Sequence, residues 1–232
     1  MKGVSDRFLV VIPAYNEAET ILEVATRAAR HADVCVVDDA STDGTAKIIS
    51  DLERVHCIRH QQNTHIAGGI LDGFRYGLDQ GYDFCLTMDA GLSHDPDAIP
   101  LFQARRDADL VLGCREEREN VPGHRRALSA SASLLMNMAL SRRVVPWGGP
   151  GLRDCTSGYR MYSRKAFELL ARAKLRSRAF DFHIESLAWV FRAGLSIAEV
   201  PITYRFTNSS LQAEIVWEAL RTWASLWTRS GP

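Results

Sequence analysis

The sequence reads as an α/β protein of 232 residues built around a mostly parallel sheet. Two observations predict this. Short β-branched runs alternate with helical patterns through the first half of the chain, and no linker or low-complexity stretch interrupts them, which is the signature of consecutive βαβ units. A hydrophobic content of 46% over this length is enough to bury a substantial core, so disorder is excluded.

In order, Phe8 to Ile12 (FLVVI) reads as a buried strand and Glu17 to Arg30 as a helix, with Ile21, Leu22, Ala25, Ala28 and Ala29 at helical spacing. Val34 to Val37 is a second strand, followed by a helix capped by Ser41 or Thr42, and residues 55–59 form a third strand. Ile66 to Leu78 is a Gly-rich helix and Asp83 to Met88 a strand. Asp95-Pro96 starts a further helix, since Asp caps while Pro suits the first turn. Residues 109–113 make the fifth strand. After a charged loop (REERENVPGHRR) come a helix from Leu128 to about Ser141, a Gly/Pro-rich loop, the strand GYRMYS, helices near 164–172 and 181–193, the strand SIAEVPITYRF and a last amphipathic helix.

The 28 Lys and Arg balance the 28 Asp and Glu, so nothing global marks a nucleic-acid binder. The balance hides a split: residues 1–114 hold 18 acidic and 10 basic side chains, and residues 115–232 the reverse. Five widely spaced cysteines with no CxxC favour a reducing compartment over a disulfide framework or zinc site. The apolar start, MKGVSDRFLVVIP, is too short and interrupted for a signal peptide, and no apolar run approaches the roughly 20 residues of a spanning helix. The expected location is the cytoplasm, at the inner face of the membrane.

In an open parallel sheet, ligands bind beyond the carboxyl ends of the strands. Those ends carry Pro13-Ala14-Tyr15-Asn16-Glu17, Asp38-Asp39-Ala40-Ser41 and Asp89-Ala90-Gly91. The first lacks the GxGxxG that a dinucleotide's pyrophosphate needs, so NAD binding is excluded. Carboxylates at several strand ends suit a base and ribose, or a divalent cation bridging phosphates. Asp43 reads as a local helix cap, whereas Asp39 does not.

Taken together, IPAYNEAETI, VVDDASTDGT, MDAGLSHDP, Gly113-Cys114-Arg115, DCTSGYRMY and EVPITYR resemble the inverting family 2 glycosyltransferases, and among them the dolichyl- or polyprenyl-phosphate hexosyltransferases. The resemblance runs from about residue 8 to about 227 and is carried by six motifs in register. It implies a GT-A fold: a Rossmann-like, mixed but mostly parallel sheet flanked by helices. It divides the chain into one domain over residues 1–210, with a nucleotide-sugar half (1–114) and an acceptor half (115–210), and a C-terminal amphipathic helix over 211–232.

The same resemblance implies the site. Pro13, Tyr15 and Glu17 contact the nucleoside of a GDP- or UDP-hexose, and Val37 with Asp38 or Asp39 holds base and ribose. Asp89 and Ala90 take the first two places of the DxD motif, where carboxylates bind Mg²⁺ or Mn²⁺ on the diphosphate. Gly91 stands in the third place and Ser93 where Gln is common. One carboxylate with waters and phosphate oxygens still holds a hard cation, so the site is weakened and not abolished. His94 is a second metal candidate; alternatively it lies on a surface loop. The segment Asn63 to Gly69 lacks the lysine that relatives carry there.

Arg115, at a strand end, is expected at the diphosphate, since arginine's planar fork suits phosphate. Ser157 lines the acceptor side and Arg205 reaches the phosphates. With Asp89, these are the expected catalytic residues. A polyprenyl phosphate, already anionic, needs no general base. In the last helix Trp217, Trp223 and Trp227 share a face that suits either a lipid interface or packing on protein. A hexosyltransferase acting on polyprenyl phosphate is the leading reading. The alternatives are a soluble acceptor, or a catalytically weak relative that binds nucleotide sugar as a regulator.

Overall fold

The structure is a computed structural model and describes residues 6–50, 52, 54–141, 150–205 and 221–225. Seven strands form one sheet in the order β3-β2-β1-β4-β6-β5-β7. They are β1 (Phe8–Ala14), β2 (Asp33–Asp38), β3 (Val55–Arg59), β4 (Phe84–Thr87), β5 (Leu110–Glu119), β6 (Arg160–Ser163) and β7 (Ile197–Arg205). All neighbours run parallel except β6, which lies antiparallel between β4 and β5.

The helices are α1 (Ile21–Ala28), α2 (Thr45–Ser50), α3 (His65–Asp79), α4 (Ile99–Gln103), α5 (Gly123–Ser141), α6 (Arg164–Arg172) and α7 (Phe182–Arg192), with a 3₁₀ turn at Pro96–Ala98. They cover both faces of the sheet, which is why the inner strands are apolar throughout instead of alternating. Period 2 still sorts β1: Leu9 and Val11 enter one core cluster with Phe74, Phe167 and Leu187, whereas Val10 and Ile12 enter the other with Ile21, Val24 and Phe102. The glycines of α3 let it lie close on the sheet. A Cβ at Gly69 would sit 2.9 Å from Pro13 Cβ, and one at Gly77 2.7 Å from Cys85 Sγ.

Several boundaries differ from the sequence reading for local reasons. Helix α1 starts four residues late because Asn16 takes φ 56°, and Glu17 O then receives the N–H groups of Thr20 and Ile21. Helix α2 is capped by neither Ser41 nor Thr42. Asp43 Oδ1 accepts the Thr45 N–H at 3.0 Å, and Ser41 Oγ instead accepts the Asn16 N–H. Asp95 does cap, accepting the Asp97 N–H at 3.1 Å. Strand β5 runs six residues beyond 113, through the expected charged loop. There Glu116, Glu117 and Glu119 face solvent and the strand pairs with β7, as Glu117 with Thr203 and Glu119 with Arg205, both at 2.8 Å.

All five cysteines are free thiols, and burial pushes Cys35 and Cys155 up to about 12. Among the described residues no helix is long and apolar enough to cross a membrane. Of the last helix only 221–225 is described. Trp223 packs on the core and its indole N–H donates to Leu135 O at 2.9 Å, while the Thr222 hydroxyl donates to Asp181. At Trp223 the tryptophan face therefore meets protein. Trp217 and Trp227 lie outside the described residues.

Candidate active site

The carboxyl ends of β1, β2 and β4 lie side by side, so their loops form one rim. The first two loops are stitched together. The N–H groups of Asn16, Glu17 and Ala18 donate to Ser41 Oγ, Thr45 Oγ1 and Asp43 Oδ2 at 2.9–3.0 Å, and Asn16 Oδ1 accepts the Thr42 N–H. This lattice explains why Asn, Ser, Thr and Asp crowd both segments: short polar side chains satisfy backbone groups that no ladder reaches. It leaves Tyr15 half exposed above the rim. Burial raises the Glu17 carboxyl, with the nearby Asp89 charge adding to it, so the β1 and β4 ends face each other electrostatically.

At the β2 end both acids are buried. Asp38 Oδ1 accepts the Ser41 N–H at 3.2 Å. Its Oδ2 makes no hydrogen bond, with Arg59 Nε 3.4 Å away. Asp39 Oδ1 accepts from the Thr64 N–H (2.7 Å) and hydroxyl (2.9 Å) and faces His60 Nδ1 at 2.8 Å. A cleft of about 460 Å³ opens here, lined by Ala40, Ser41, Thr42, Arg59, His60 and Gln61. Val37 is fully buried in the core, so a contact of Val37 with base or ribose would be made by its backbone.

At the β4 end Asp89 is 54% exposed, its carboxylate free to meet a ligand. Its N–H donates to His94 Nδ1 at 3.2 Å. His94 is not on a surface loop. It is buried, stacked on Tyr159 with ring centroids 4.9 Å apart, and burial lowers its pKa, so the ring is neutral and its Nδ1 lone pair holds the Asp89 backbone. The 3.5 Å approach of Nδ1 to Asp89 Oδ2 is therefore not an ion pair. The nitrogen facing Asp89 is already in use, so His94 orients Asp89 instead of joining it on a cation. Ala90 is buried, and Gly91 has nothing within 4 Å of where a Cβ would stand.

Among the described residues no three His, Cys, Asp or Glu side chains converge on a cation position. One free carboxylate fits a cation that arrives on a diphosphate and keeps phosphate and water ligands, which is how Mg²⁺-type ions usually bind.

The acceptor-side residues are placed differently from expectation. Arg115 does not offer its fork to a ligand: it is mostly buried and bidentate on Asp154 (2.6 and 2.7 Å), with Ser129 and Thr156 as further acceptors. Arg205 is exposed and pairs with Glu119, although its N–H donates to Ser93 O and ties β7 to the loop that follows Asp89. Ser157 is buried, its Oγ accepting the Tyr159 N–H at 3.3 Å.

Three further residues escape the sequence reading. Arg160 is wholly buried and donates to the carbonyls of Ser157, His183 and Cys155, each at 2.7 Å, which fixes the loop before β6. His183 is buried against Gly158, where an added Cβ would lie 3.0 Å from its Nε2 and 3.4 Å from Asp89 Oδ1. Burial holds His183 well below the usual imidazole range, so it is neutral. His60 joins Asp39 at the β2 end to Asp72 on α3. The polar runs TSGYR and DFHIES, which carry Arg160 and His183, are the available signals, but nothing in them specifies the partner.

Residues 9–170 match the profile of Glycosyl transferase family 2. The chain belongs to that family. It is 33% identical over 234 residues to the undecaprenyl-phosphate mannosyltransferase of Micrococcus luteus, covering 92% of this chain and 91% of that one. It is also 33% identical over 215 residues to the polyprenol monophosphomannose synthase of Mycolicibacterium smegmatis, covering 86% of this chain and 78% of that one. Among solved structures it resembles the Mycobacterium tuberculosis glucosyl-3-phosphoglycerate synthase in complex with Mn²⁺, UDP-glucose and phosphoglyceric acid. The TM-score is 0.74 at 20% identity, over 97% of this chain and 81% of that one. That likeness establishes the GT-A fold. The family membership makes the chain a glycosyltransferase.

Proposed function

We propose that this glycosyltransferase moves a hexose from a nucleoside diphosphate sugar to a polyprenyl phosphate, with inversion at the anomeric carbon. The carrying observation is the single rim that brings Glu17, Asp39 and Asp89 together at neighbouring strand ends. In this reading Pro13, Tyr15, Glu17 and the Asp38-Asp39 pair receive the nucleoside in and beside the 460 Å³ cleft. Asp89 holds Mg²⁺ or Mn²⁺ on the diphosphate, the cation supplying charge neutralisation of the leaving group. Ser157 and Arg205 lie on the acceptor side, and Arg115 acts through Asp154 by holding the loop that carries Thr156 and Ser157.

The acceptor's chemistry follows from which acids are free. Asp181 and Glu185, near the start of α7, both use their carboxylates on backbone N–H groups, of Arg178 and Ala179 and of Arg176 and Ser177. Neither is poised as a general base. An acceptor that is already a phosphate anion needs none, so catalysis reduces to positioning and charge stabilisation of an in-line displacement. The named relatives at 33% identity support the same acceptor class. Action on a lipid phosphate places the enzyme at a membrane surface on the side where nucleotide sugars are found.

The packing of Trp223 on the domain favours a second reading, a soluble phosphorylated acceptor. One experiment separates them. Purified chain is incubated with GDP- or UDP-hexose and either polyprenyl phosphate in detergent or phosphoglycerate, with Mn²⁺ or chelator. The proposal requires nucleoside diphosphate release and a lipid-linked sugar with the first acceptor; product with phosphoglycerate alone would sink it.

A further inference from the structure

We infer that His60 is a positioning residue for the donor nucleotide: it clamps Asp39 through a chain of hydrogen bonds, so that one carboxylate oxygen is held and the other is presented to the nucleoside. The inference rests on the reading above that Asp39 contacts the nucleoside.

A chain of four hydrogen-bonded side chains runs from the β2 end to the surface of α3. Asp39 Oδ1 lies 2.8 Å from His60 Nδ1, His60 Nε2 lies 3.0 Å from Asp72 Oδ2, and Arg75 binds the other oxygen of Asp72 one turn further along α3. A carboxylate only accepts, so a ring nitrogen that bonds one does so as the donor. The Asp39 and His60 side chains are almost wholly buried, and buried charges persist only when paired and hydrogen-bonded.

Thr64 closes the clamp. Its N–H and hydroxyl both donate to Asp39 Oδ1, and its Oγ1 lies 3.0 Å from His60 Nδ1. Among the described residues, every hydrogen bond to the Asp39 carboxylate therefore ends on Oδ1, leaving Oδ2 for a ligand. The first turn of α3 is built for this, since a Cβ at Gly68 would overlap Thr64 Oγ1. His60 also lines the cleft where the nucleoside enters, so the clamp and the binding surface share a wall.

Fixing a carboxylate rotamer before binding removes an ordering cost from the complex and leaves the chemical step untouched. His60 should then act on affinity and not on turnover. The test is calorimetric titration of UDP and of GDP, each with Mn²⁺, into wild type, His60→Gln, Asp39→Asn and the double variant, with donor KM and kcat measured in parallel. Loss of a charged hydrogen bond predicts that His60→Gln weakens the better-bound nucleotide about tenfold and raises donor KM alike. The expected change in kcat is under about twofold, and His60→Gln should add under about twofold to Asp39→Asn, since the two act as a unit.

Wild-type affinity in His60→Gln, alongside a defect in Asp39→Asn, overturns the clamp. Wild-type affinity in Asp39→Asn overturns instead the reading that Asp39 meets the nucleoside. If His60→Gln does not fold, Thr64→Val and Asp72→Asn make the same measurement, and undiminished nucleotide affinity in both overturns the clamp.

Discussion

The rim at β1, β2 and β4 and the loop before β6 are both dense with charge, yet they use it in opposite ways. On the rim, carboxylates keep an oxygen free: Asp39 is held on Oδ1 alone by Thr64 and His60, and Asp89, whose backbone N–H is held by His94, leaves its carboxylate exposed. Before β6 the charges are closed on themselves. Arg115 is bidentate on Asp154, and Arg160 is saturated by three carbonyls. Charge sign along a sequence thus says little about availability to a ligand. The acidic half presents its acids, whereas the buried arginines of the basic half are scaffold. The exposed Arg153 and Arg205 pair with glutamates at the surface, where such pairs contribute little.

The strongest way to break this contrast is to open the closed side. Arg115→Met leaves the buried Asp154 carboxylate without its bidentate partner and with Arg118 only at 3.9 Å, and removing one member of a buried pair typically costs about 3–5 kcal/mol. Chemical denaturation should show a loss of that size, and Asp154→Asn in the same chain should recover much of it. Acid adds a check. The Asp154 carboxyl lies below its ordinary value of 3.8: burial opposes this but the Arg115 contacts outweigh it. A depressed carboxyl contributes stability that is present above its unfolded value and is lost as pH falls through the folded one. Wild type should therefore lose stability below about pH 4 more steeply than the double variant. If Arg115→Met instead keeps its stability but loses affinity for nucleoside diphosphate, the arginine belongs to the ligand and the contrast fails.

This contrast also marks what was legible in the sequence. Strand β3 and helix α6 follow from local pattern at their stated boundaries, because their apolar spacing and flanking turns are local facts. The far half of β5 is not legible, because beyond β6 it pairs with β7 alone and its exposed glutamates carry the charges of a loop. The site divides in the same way. PAYNE, DDAS and MDAG are readable because ligand-facing residues lie just after strands. His60, Thr64, Arg160 and the Arg115-Asp154 pair are not, since their roles depend on partners 3 to 39 residues away that only the folded chain brings near. A basic residue at a strand end looks the same in sequence whether it awaits phosphate or a buried aspartate.

A smaller effect sharpens the open side. Gly91 leaves the DxD position without its second carboxylate, and nothing lies within 4 Å of the Cβ that a replacement would add. Gly91→Asp should then be accommodated without repacking. With a second oxygen ligand for a hard cation, the Mn²⁺ concentration giving half-maximal turnover should fall by about tenfold. Competition by Ca²⁺ or chelator during nucleotide titration reads the same quantity without catalysis. An unchanged Mn²⁺ requirement would mean that the cation does not sit between Asp89 and residue 91.

The smallest effect concerns strain on the rim. Asn16, Ala40 and His65 all take positive φ, at 56°, 66° and 62°; the first two follow β1 and β2, and His65 opens α3. Asn tolerates that region, but a Cβ-bearing alanine does so at about 1–2 kcal/mol, and Ala40 directly follows Asp39. Ala40→Gly relieves that strain while giving the unfolded chain more freedom, which offsets about 0.4–1 kcal/mol of the gain. The net expectation is a stabilisation of roughly 0.5 kcal/mol, a rise of about 1–2 °C in Tm for a chain of this length. Since the Thr64 and His60 clamp and not the Ala40 backbone fixes the Asp39 carboxylate, nucleotide affinity should move by less than about twofold. A destabilised Ala40→Gly with weakened nucleotide binding would show instead that the alanine methyl itself braces the rim, and that the open side owes its order to backbone as much as to the clamp.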